Sequence, residues 1–355
     1  MKIPARLNSF ARYALAATSA LALAACGEEK PTFSLLPDKN VFQQSDGAFN
    51  NKLDILWVID NSGSMQPYQD NLVANFNAFI TDFATKGYDF QIAVTASDAW
   101  RAPFASQPLL AKFRDGTDAT SHTGVFVINP TTPNLINVFN INARQGTAGT
   151  GDERAFQSFK EALNSNLNAG FLRPDSFLAV IILSDEDDFS HDGGNHINRD
   201  YSYANLHSIG HYVSYLDTLT GTTGANRRYS VSAMAILDDA CRTDPATHPG
   251  AIIGLRYMQL VDATGGVKGS LCSPSFSDEL DKIQQKIAEL STQFYLNRAP
   301  RPETIRVYVN GVEIPQSDTN GWSYHADANS IRFHGSAIPP QGATISIDFD
   351  PMTIK

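Results

Sequence analysis

Apolar residues follow two alternating patterns along most of the chain. Short, nearly continuous apolar runs are typical of strands buried on both faces of a parallel sheet, whereas apolar residues spaced three and four apart indicate amphipathic helices. The predicted strands are 53–60, 90–95, a short edge strand at 125–128, 177–183 and 229–237. The predicted helices are 67–86, 151–168, one around 250–263 and a last one marked by Leu280, Ile283, Ile287, Leu290 and Phe294. This alternation predicts an α/β fold with a doubly wound, mostly parallel sheet flanked by helices.

The pattern changes near the C-terminal end of the chain. Apolar and polar residues there alternate with a period of two, which indicates strands with one buried face. The dipeptide Asn310-Gly311 is typical of a hairpin turn between two such strands. We therefore predict that the α/β domain spans 51–297 and that a small all-β appendage occupies 298–355.

The first residues are typical of an export signal. Residues 1–12 carry three positive charges, and residues 13–25 form an apolar run that is shorter than the about 20 residues a membrane-spanning helix needs. Leu23-Ala24-Ala25-Cys26 resembles the lipobox of bacterial lipoproteins. That resemblance implies a signal peptide over 1–25, a lipid anchor on Cys26 and a tether over 26–50. The alternative is an ordinary cleaved signal in which Cys26 is incidental.

The chain has three cysteines. With Cys26 assigned to lipid, Cys241 and Cys272 remain as a pair, and an oxidising periplasm or cell surface favours a disulfide between them. A metal or redox role is the weaker interpretation because no C-x-x-C spacing is present. Residue 27, directly after Cys26, is glycine, whereas an inner-membrane retention signal resembling that of enteric bacteria has aspartate there. We therefore expect a lipid-anchored envelope protein of the outer membrane, on its periplasmic face or at the cell surface.

Composition narrows the classes of function. Hydrophobic residues make up 42 % of the chain, enough for a sizeable core and too many for a disordered tail. The formal net charge is −10. Because there is no basic excess to release counterions from phosphates, we expect no nucleic-acid partner.

Oxygen-bearing side chains follow two predicted strands and precede one predicted helix. They are Asp60, Ser62 and Ser64 after the first strand, Asp185 after strand 177–183, and Thr147 and Thr150 in a glycine-rich loop. Because the carboxyl ends of parallel strands meet at one edge of a sheet, these sets can converge. Hard oxygen donors suit Mg²⁺, with Mn²⁺ or Ca²⁺ as alternatives. Taken alone, the first motif could also be a polar turn with a serine as helix cap.

The D-x-S-x-S motif, the threonine loop and the later aspartate resemble the metal ion-dependent adhesion site of von Willebrand factor type A (vWA) domains over about residues 50–295. The chain also resembles bacterial lipoproteins in which this domain carries a cysteine pair and a β tail. The resemblance implies that the hydroxyls of Ser62 and Ser64 bind the metal directly. It implies that Asp60 and Asp185 act largely through waters and that one threonine completes the set.

Two threonines are candidates for that last position. The family has a short T-x-T spacing, whereas Thr147 and Thr150 are three residues apart. Thr147 follows Gly146 as in the related lipoproteins, which favours it. Counting back from the predicted helix favours Thr150, so both remain candidates.

The resemblance implies binding rather than reaction. Such a site leaves the charge of the ion poorly neutralised, so a carboxylate from a partner protein can complete its coordination. We expect an adhesion or protein-binding module and not an enzyme. A haloacid dehalogenase-like hydrolase would need a second aspartate where Ser62 stands, and neither a G-x-S-x-G nor a phosphate-binding G-x-x-x-x-G-K-[ST] motif is present. The alternatives are a scaffold of an envelope complex and, more remotely, a Mg²⁺-dependent hydrolase.

Several other polar residues lie near predicted strand ends. They are Asp187, Asp188, His191, His196, Asp238 and Asp239. The first two form either a solvated loop or a second cation site. The histidines lack the helical i, i+4 spacing of a zinc pair, and the last two aspartates shape the charge of the binding edge. Trp57, within the first strand, is predicted to be a core residue.

Overall fold

The structure of the chain, a computed structural model, describes residues 38–43, 52–85, 87–118, 120–194, 199–340 and 342–352. The predicted signal peptide, the lipidation site Cys26 and most of the predicted tether lie outside these ranges. The strands are β1 (Asp38–Gln43), β2 (Lys52–Ile59), β3 (Asp89–Ala96), β4 (Gly116–Thr117), β5 (Ser121–His122), β6 (Val127–Ile128), β7 (Phe177–Leu183), β8 (Tyr229–Ala235), β9 (Lys268–Ser270), β10 (Phe294–Tyr295), β11 (Arg306–Val309), β12 (Val312–Ile314), β13 (Trp322–His325), β14 (Ser330–Phe333) and β15 (Thr344–Phe349). The helices are α1 (Gln66–Thr85), α2 (Arg101–Phe104), α3 (Leu135–Ala143), α4 (Ala155–Asn164), α5 (Ile209–Thr220), α6 (Asp239–Arg242), α7 (Leu255–Thr264) and α8 (Ser277–Ser291).

Six strands form the central sheet in the order β6-β3-β2-β7-β8-β9. All neighbours are parallel except β6, which pairs antiparallel with β3 at one edge. One apolar cluster contains residues of α1, α3 and α8, and a second contains residues of α4, α5 and α7. Since each cluster includes side chains from one face of the sheet, helices cover both faces. The predicted doubly wound, mostly parallel α/β fold is confirmed.

The order of the strands determines where a ligand can bind. From β2 the chain proceeds outward through β3 and β6, and it then returns to place β7 on the other side of β2. In open α/β sheets, ligands bind beyond the carboxyl ends of the strands at such a reversal. Ile59 of β2 pairs with Leu183 of β7, so the residues that follow both strands enter the same crevice.

Trp57 of β2 lies in the core, as predicted. Its side chain is fully buried and makes edge-on ring contacts with Phe79 of α1 at 5.7 Å and with Phe139 of α3 at 5.8 Å. Such contacts stabilise aromatic clusters beyond the area they bury. The first helix is thereby packed against the strand that leads to the predicted site.

Four helices of the α/β domain were not predicted from the sequence: the four-residue helices α2 and α6, and the longer helices α3 and α5. Helix α3 follows Asn134, a left-handed residue whose side chain makes no capping bond, so the helix lacks the local stabilisation that a capping side chain supplies. Helix α5 does carry signals, because Ser208 caps it by accepting a bond from His211 and left-handed Gly221 ends it. Its apolar positions are interrupted by polar residues, which weakened the periodic pattern.

The C-terminal β strands form two small sheets, β1-β15-β11-β12 and β10-β14-β13. Strand β1 lies within the predicted tether and pairs antiparallel with β15. Phe294, predicted as the last apolar position of the final helix, instead belongs to β10 and pairs with Ile331 of β14. Helix α8 ends at Ser291, so the chain enters the β region immediately after the helix. A single compact unit, Asp38–Lys355, includes both parts.

A disulfide joins Cys241 and Cys272, as predicted, with 5.6 Å between their Cα atoms. It connects the segment after β8 to the segment after β9. Closing a loop of this length stabilises the folded chain by about 3–4 kcal/mol in the chain-entropy description. Among the described residues, none of the helices has the length and apolar character that crossing a membrane requires.

A polar contact links α8 to the C-terminal β strands. Glu289 Oε1 lies 3.0 Å from His334 Nδ1, and Lys286 donates to Glu289 Oε2 at 2.8 Å. Ser323 Oγ lies 2.6 Å from the other ring nitrogen of His334. Burial acts to raise the pKa of Glu289, but the bonds from Lys286 and His334 outweigh it, and the pKa is lowered.

Glu289→Gln should therefore cost about 1 kcal/mol of unfolding free energy at pH 7. Because the folded pKa is lowered, this stabilisation is present above the ordinary carboxyl pKa and is lost as the pH falls through the folded value. Urea unfolding at pH 7 and at pH 3.5 measures the difference. Glu303→Gln, which changes an exposed carboxyl in the same region, is the control. An equal deficit at both pH values would contradict the ionic contact.

Candidate metal centre

Asp60 is the first residue after β2 and is fully buried. Its backbone N–H donates to the Leu183 carbonyl of β7 at 2.9 Å. Its Oδ1 accepts from the Ser62 backbone N–H and its Oδ2 accepts from the Ser184 hydroxyl, both at 2.7 Å. These bonds fix the carboxylate between the two strand ends and satisfy one acceptor site on each oxygen.

The hydroxyls of the motif converge beside this carboxylate. Ser62 Oγ and Ser64 Oγ are 3.4 Å apart, and Ser64 Oγ donates to Asp185 Oδ1 at 3.0 Å. Asp185 stands two residues beyond the end of β7 and is itself buried. The structure thus brings together Asp60, Ser62, Ser64 and Asp185, although Ser64 and Asp185 are 121 positions apart in the sequence.

The threonine loop is held against the same group. The N–H of Gly149 donates to the Asn61 carbonyl at 2.7 Å, and a Cβ on Gly149 would overlap the Asn61 side chain. Gln69 of α1 donates to the Asp60 and Gly146 carbonyls, each at 2.9 Å, and accepts from the Gly146 N–H at 3.1 Å. Close backbone contact at Gly149 and the Gln69 amide therefore place the loop beside Asp60.

The sequence analysis did not identify Gln69 as a site residue. Gln69 lies three positions before Leu72 on the apolar face of α1 and is fully buried. A polar residue on the buried face of an amphipathic helix needs hydrogen-bond partners. The position of Gln69 on that face was therefore the feature of the sequence that could have identified it.

The two threonines differ in their surroundings. Thr147 is exposed. Thr150 Oγ1 is buried and has no hydrogen-bond partner among the described residues, and the same is true of Asp185 Oδ2. Buried polar atoms nearly always have partners. One of these two oxygens belongs to Asp185, which is bonded to Ser64, and the other to the loop whose Gly149 N–H is bonded to Asn61. Together with the serine hydroxyls, they are oxygen donors of the kind that suits a hard divalent cation.

Burial and mutual repulsion raise the pKa values of the acids around these oxygens. Burial raises the pKa of Asp60 to about 6, with a further contribution from the charge of Asp185. Burial raises the pKa of Glu186 to about 7, although the charge of Arg199 opposes the rise. Removing carboxylates from water disfavours their charged form, so a cation at this edge would relieve an unfavourable concentration of negative charge.

Glu153 is another acid in this environment. The sequence analysis did not identify it. It is 2 % exposed, and neither carboxyl oxygen has a bonded partner among the described residues, although the Ser97 hydroxyl lies near enough to favour the ionised form. Burial, followed by the charges of Asp60 and Glu186, raises its pKa well above the ordinary value. Acids near the start of a helix are commonly exposed, and Glu153 lies two residues before α4. The sequence pattern therefore did not distinguish Glu153 from an ordinary exposed acid.

Asp187 and Asp188 form neither a solvated loop nor a second cation site, the two possibilities that the sequence left open. Both are fully buried rather than solvated. Asp187 accepts from the Arg256 N–H at 3.0 Å and the Tyr201 hydroxyl at 2.9 Å, and Asp188 accepts from the Phe156 N–H at the start of α4 at 2.9 Å. All four of their oxygens accept bonds from the protein. These carboxylates therefore anchor loops and helices.

The other polar candidates are separate from the centre. His191 is buried with Nδ1 2.8 Å from the Phe189 carbonyl, and His196 lies outside the described residues. Asp238 caps α6 by accepting from the Cys241 N–H at 2.8 Å, and Asp239 pairs with Arg242 at 2.7 Å. Nowhere in the described part of the chain do three or more His, Cys, Asp or Glu side chains form a metal-binding group. The candidate centre therefore depends on hydroxyl oxygens.

Comparison with known proteins identified no matching family model and no matching curated protein. The solved structures that match this chain include the pilus adhesin SpaC from Lactobacillus rhamnosus GG. The sequence identity is 12 %, the match covers 89 % of this chain and 42 % of that chain, and the TM-score is 0.38. Another is proximal thread matrix protein 1 from the mussel byssus with a zinc-occupied metal ion-dependent adhesion site motif. Its sequence identity is 12 %, the match covers 71 % of this chain and 51 % of that chain, and the TM-score is 0.36.

The chain spans about half or less of the length of these two proteins. The sheet order, the antiparallel edge strand and the helices on both faces form the predicted mostly parallel, doubly wound α/β architecture.

Proposed function

We propose that this chain binds a divalent cation, Mg²⁺ in the first place, at the carboxyl edge of β2 and β7, and through it a carboxylate of a partner protein. The observation that carries the proposal is the pair of buried oxygens without partners among the described residues, Asp185 Oδ2 and Thr150 Oγ1. Asp185 is bonded to Ser64, whose hydroxyl lies 3.4 Å from that of Ser62, and Thr150 directly follows Gly149, whose N–H is bonded to Asn61. Oxygen atoms of this kind are the ligands that Mg²⁺ prefers.

The donor atoms divide into two groups. Ser62, Ser64 and Thr150 would offer hydroxyl oxygens to the ion. Both oxygens of Asp60 already accept short bonds from the protein, which supports a role for Asp60 in orienting the motif and supplying charge. Asp185 has one oxygen bonded to Ser64 and one without a partner. When bound, the ion would supply positive charge that attracts an anionic side chain.

The same geometry supports binding rather than turnover. A hydrolase that used the strand-end aspartate as nucleophile would need an accessible, unpaired oxygen on Asp60, whereas this residue is buried and both oxygens are engaged. Gly63 and Ala148, on the loops around the centre, are exposed. A partner can therefore approach the proposed ion from the side of these loops.

The proposed setting is the bacterial cell envelope. Its support is the N-terminal sequence alone, with the signal-like segment 1–25 and Cys26 at the end of a lipobox-like motif. A chain anchored by lipid on Cys26, at the outer membrane, would present the α/β domain to other envelope or surface proteins. Adhesion or protein binding is the function that this combination supports best.

Titration with Mg²⁺ tests the cation site. A ligand that binds only the folded state stabilises it by about 2.7 kcal/mol at 100 times its Kd, so thermal unfolding of the purified chain should move to higher temperature with Mg²⁺. Excess EDTA should reverse the change, and NaCl at equal ionic strength should not reproduce it. No Mg²⁺-specific change would contradict the proposal.

Capture of a partner from envelope extracts, with and without chelator, tests the second half of the proposal. We expect a protein that is retained in Mg²⁺ and released by EDTA. Retention that survives EDTA would instead favour the scaffold alternative, in which binding does not pass through the metal. Both outcomes also identify the partner.

A further inference from the structure

Arg199 lies across the two loops that carry the proposed metal ligands. Its Nη2 donates to both carboxylate oxygens of Glu186, at 2.7 and 2.6 Å, and Glu186 directly follows Asp185. The same Nη2 is 3.9 Å from the position that a Cβ on Gly151 would occupy, and Gly151 directly follows Thr150. The guanidinium is therefore close to both sides of the candidate centre.

The guanidinium is also available to a ligand. The side chain is 43 % exposed, and both bonds to Glu186 use one nitrogen, so Nε and Nη1 donate to no acceptor among the described residues. Arg154 and Arg256 behave differently, because both are buried and donate to backbone carbonyls of the protein. Arg199 is thus a partly exposed side chain with N–H groups that none of the described residues accepts, and it lies beside the proposed site.

An approaching carboxylate encounters mostly negative charge at this edge. Asp60, Glu153, Asp185 and Glu186 all lie close enough to affect one another. The Arg199 guanidinium is bonded to Glu186, the residue directly after Asp185, so its positive charge lies beside these acids. A fixed cation at this position would offset the repulsion between these acids and an anionic ligand.

We propose that Arg199 receives the second oxygen of the partner's carboxylate while the metal binds the first. This inference rests on the proposed function and adds the residue that selects the ligand. A guanidinium presents N–H groups in a planar fork that matches a carboxylate. A neutral amide or alcohol oxygen could reach the metal but would gain no ion pair, so Arg199 makes the site selective for acidic side chains.

Acetate and acetamide are the probes that test this role, with Mn²⁺ in place of Mg²⁺ in the full-length chain. Displacement of metal-bound water by acetate is followed by water-proton relaxation. For Arg199→Gln we expect an acetate concentration about tenfold higher for half displacement, as for the loss of one charge-assisted bond. Affinity for Mn²⁺ alone should be unchanged or slightly higher, because a positive charge has been removed. Acetamide, which forms no ion pair, should respond equally in both proteins.

Two further variants sharpen the test. Arg228→Gln removes an arginine that is 39 % exposed and paired with Asp175 at 3.0 Å, next to the amino end of β8, and it should leave both measurements unchanged. Arg199→Lys keeps the charge without the fork, so its acetate requirement should lie between those of the wild type and Arg199→Gln. It also serves if the glutamine variant fails to fold.

The outcomes separate the two proposals. Equal acetate requirements in the wild type and both Arg199 variants would overturn the role of Arg199 and leave the metal site intact. If the wild type fails to bind Mn²⁺, the proposed function fails and the inference fails with it. A tenfold effect on acetate with unchanged Mn²⁺ binding supports both.

Discussion

Thr150→Val is expected to weaken Mg²⁺ binding about 100-fold, as the loss of a metal-site residue commonly does, whereas Thr147→Val should leave it within about twofold. Thr150 Oγ1 is buried without a partner, and Thr147 is exposed. The pair is a matched control, because both variants exchange the same hydroxyl for a methyl in one loop. Isothermal titration with Mg²⁺ measures the two affinities.

The stability of the metal-free variants separates ligand loss from unfolding. Replacing an unpaired buried hydroxyl by a methyl group removes a desolvation cost, so Thr150→Val should unfold at the same urea concentration as the wild type or at a slightly higher one in EDTA. Loss of Mg²⁺ affinity in Thr147→Val instead would assign the ligand to the other threonine. Equal affinities in both variants and the wild type would exclude this loop from the site.

Glu153→Gln is expected to stabilise the metal-free chain by about 1 kcal/mol or more at pH 8, because a buried carboxylate without hydrogen-bond partners is costly to remove from water. Burial and neighbouring acids raise the pKa of Glu153 well above its ordinary value. Between the ordinary pKa and the folded one, the folded chain therefore holds a proton that the unfolded chain has released. The folded state therefore loses stability as the pH rises from the ordinary pKa toward the folded one. Glutamine is neutral in both states and removes this dependence.

Urea unfolding in EDTA at pH 4.5 and pH 8 measures the effect. The advantage of Glu153→Gln should be small at pH 4.5 and grow toward pH 8, while Glu313→Gln, at an exposed carboxyl, should show no such trend. A glutamine variant that is less stable than the wild type at pH 8 would mean that the ionised carboxylate is held by a favourable partner. With saturating Mg²⁺ the difference should shrink, because the cation favours ionised acids nearby.

Five of the six strands of the central sheet, all except β9, and four of the proposed site residues could be predicted from local patterns. β2 and β7 are continuous apolar runs because both of their faces are covered, and a pattern of that kind needs no knowledge of the rest of the fold. Asp60 and Asp185 follow these strands, and parallel topology alone places such residues at one edge. The residues that follow the two strands were therefore sufficient to identify Asp60 and Asp185 as candidate site residues.

The elements that were not predicted depend on contacts distant in sequence. Strand β1 exists through its pairing with β15, and β10 pairs with β14. A two-residue strand such as β10 has no periodicity of its own. Helix α3 begins without a capping side chain, and its apolar positions become meaningful only through their packing against α1 and the sheet.

The sequence by itself determined the buried strands, the disulfide pair and the presence of oxygen-bearing residues after β2 and β7. Only the tertiary structure decided which oxygens lack partners and which carboxylates are satisfied. Thr150 and Thr147 stand in the same loop, and Asp185 and Asp188 in the same acidic run, yet each pair divides between different environments. The physical reason is that burial and hydrogen bonding of a loop side chain are determined by segments packed on it from elsewhere in the chain, which residue type and spacing do not encode.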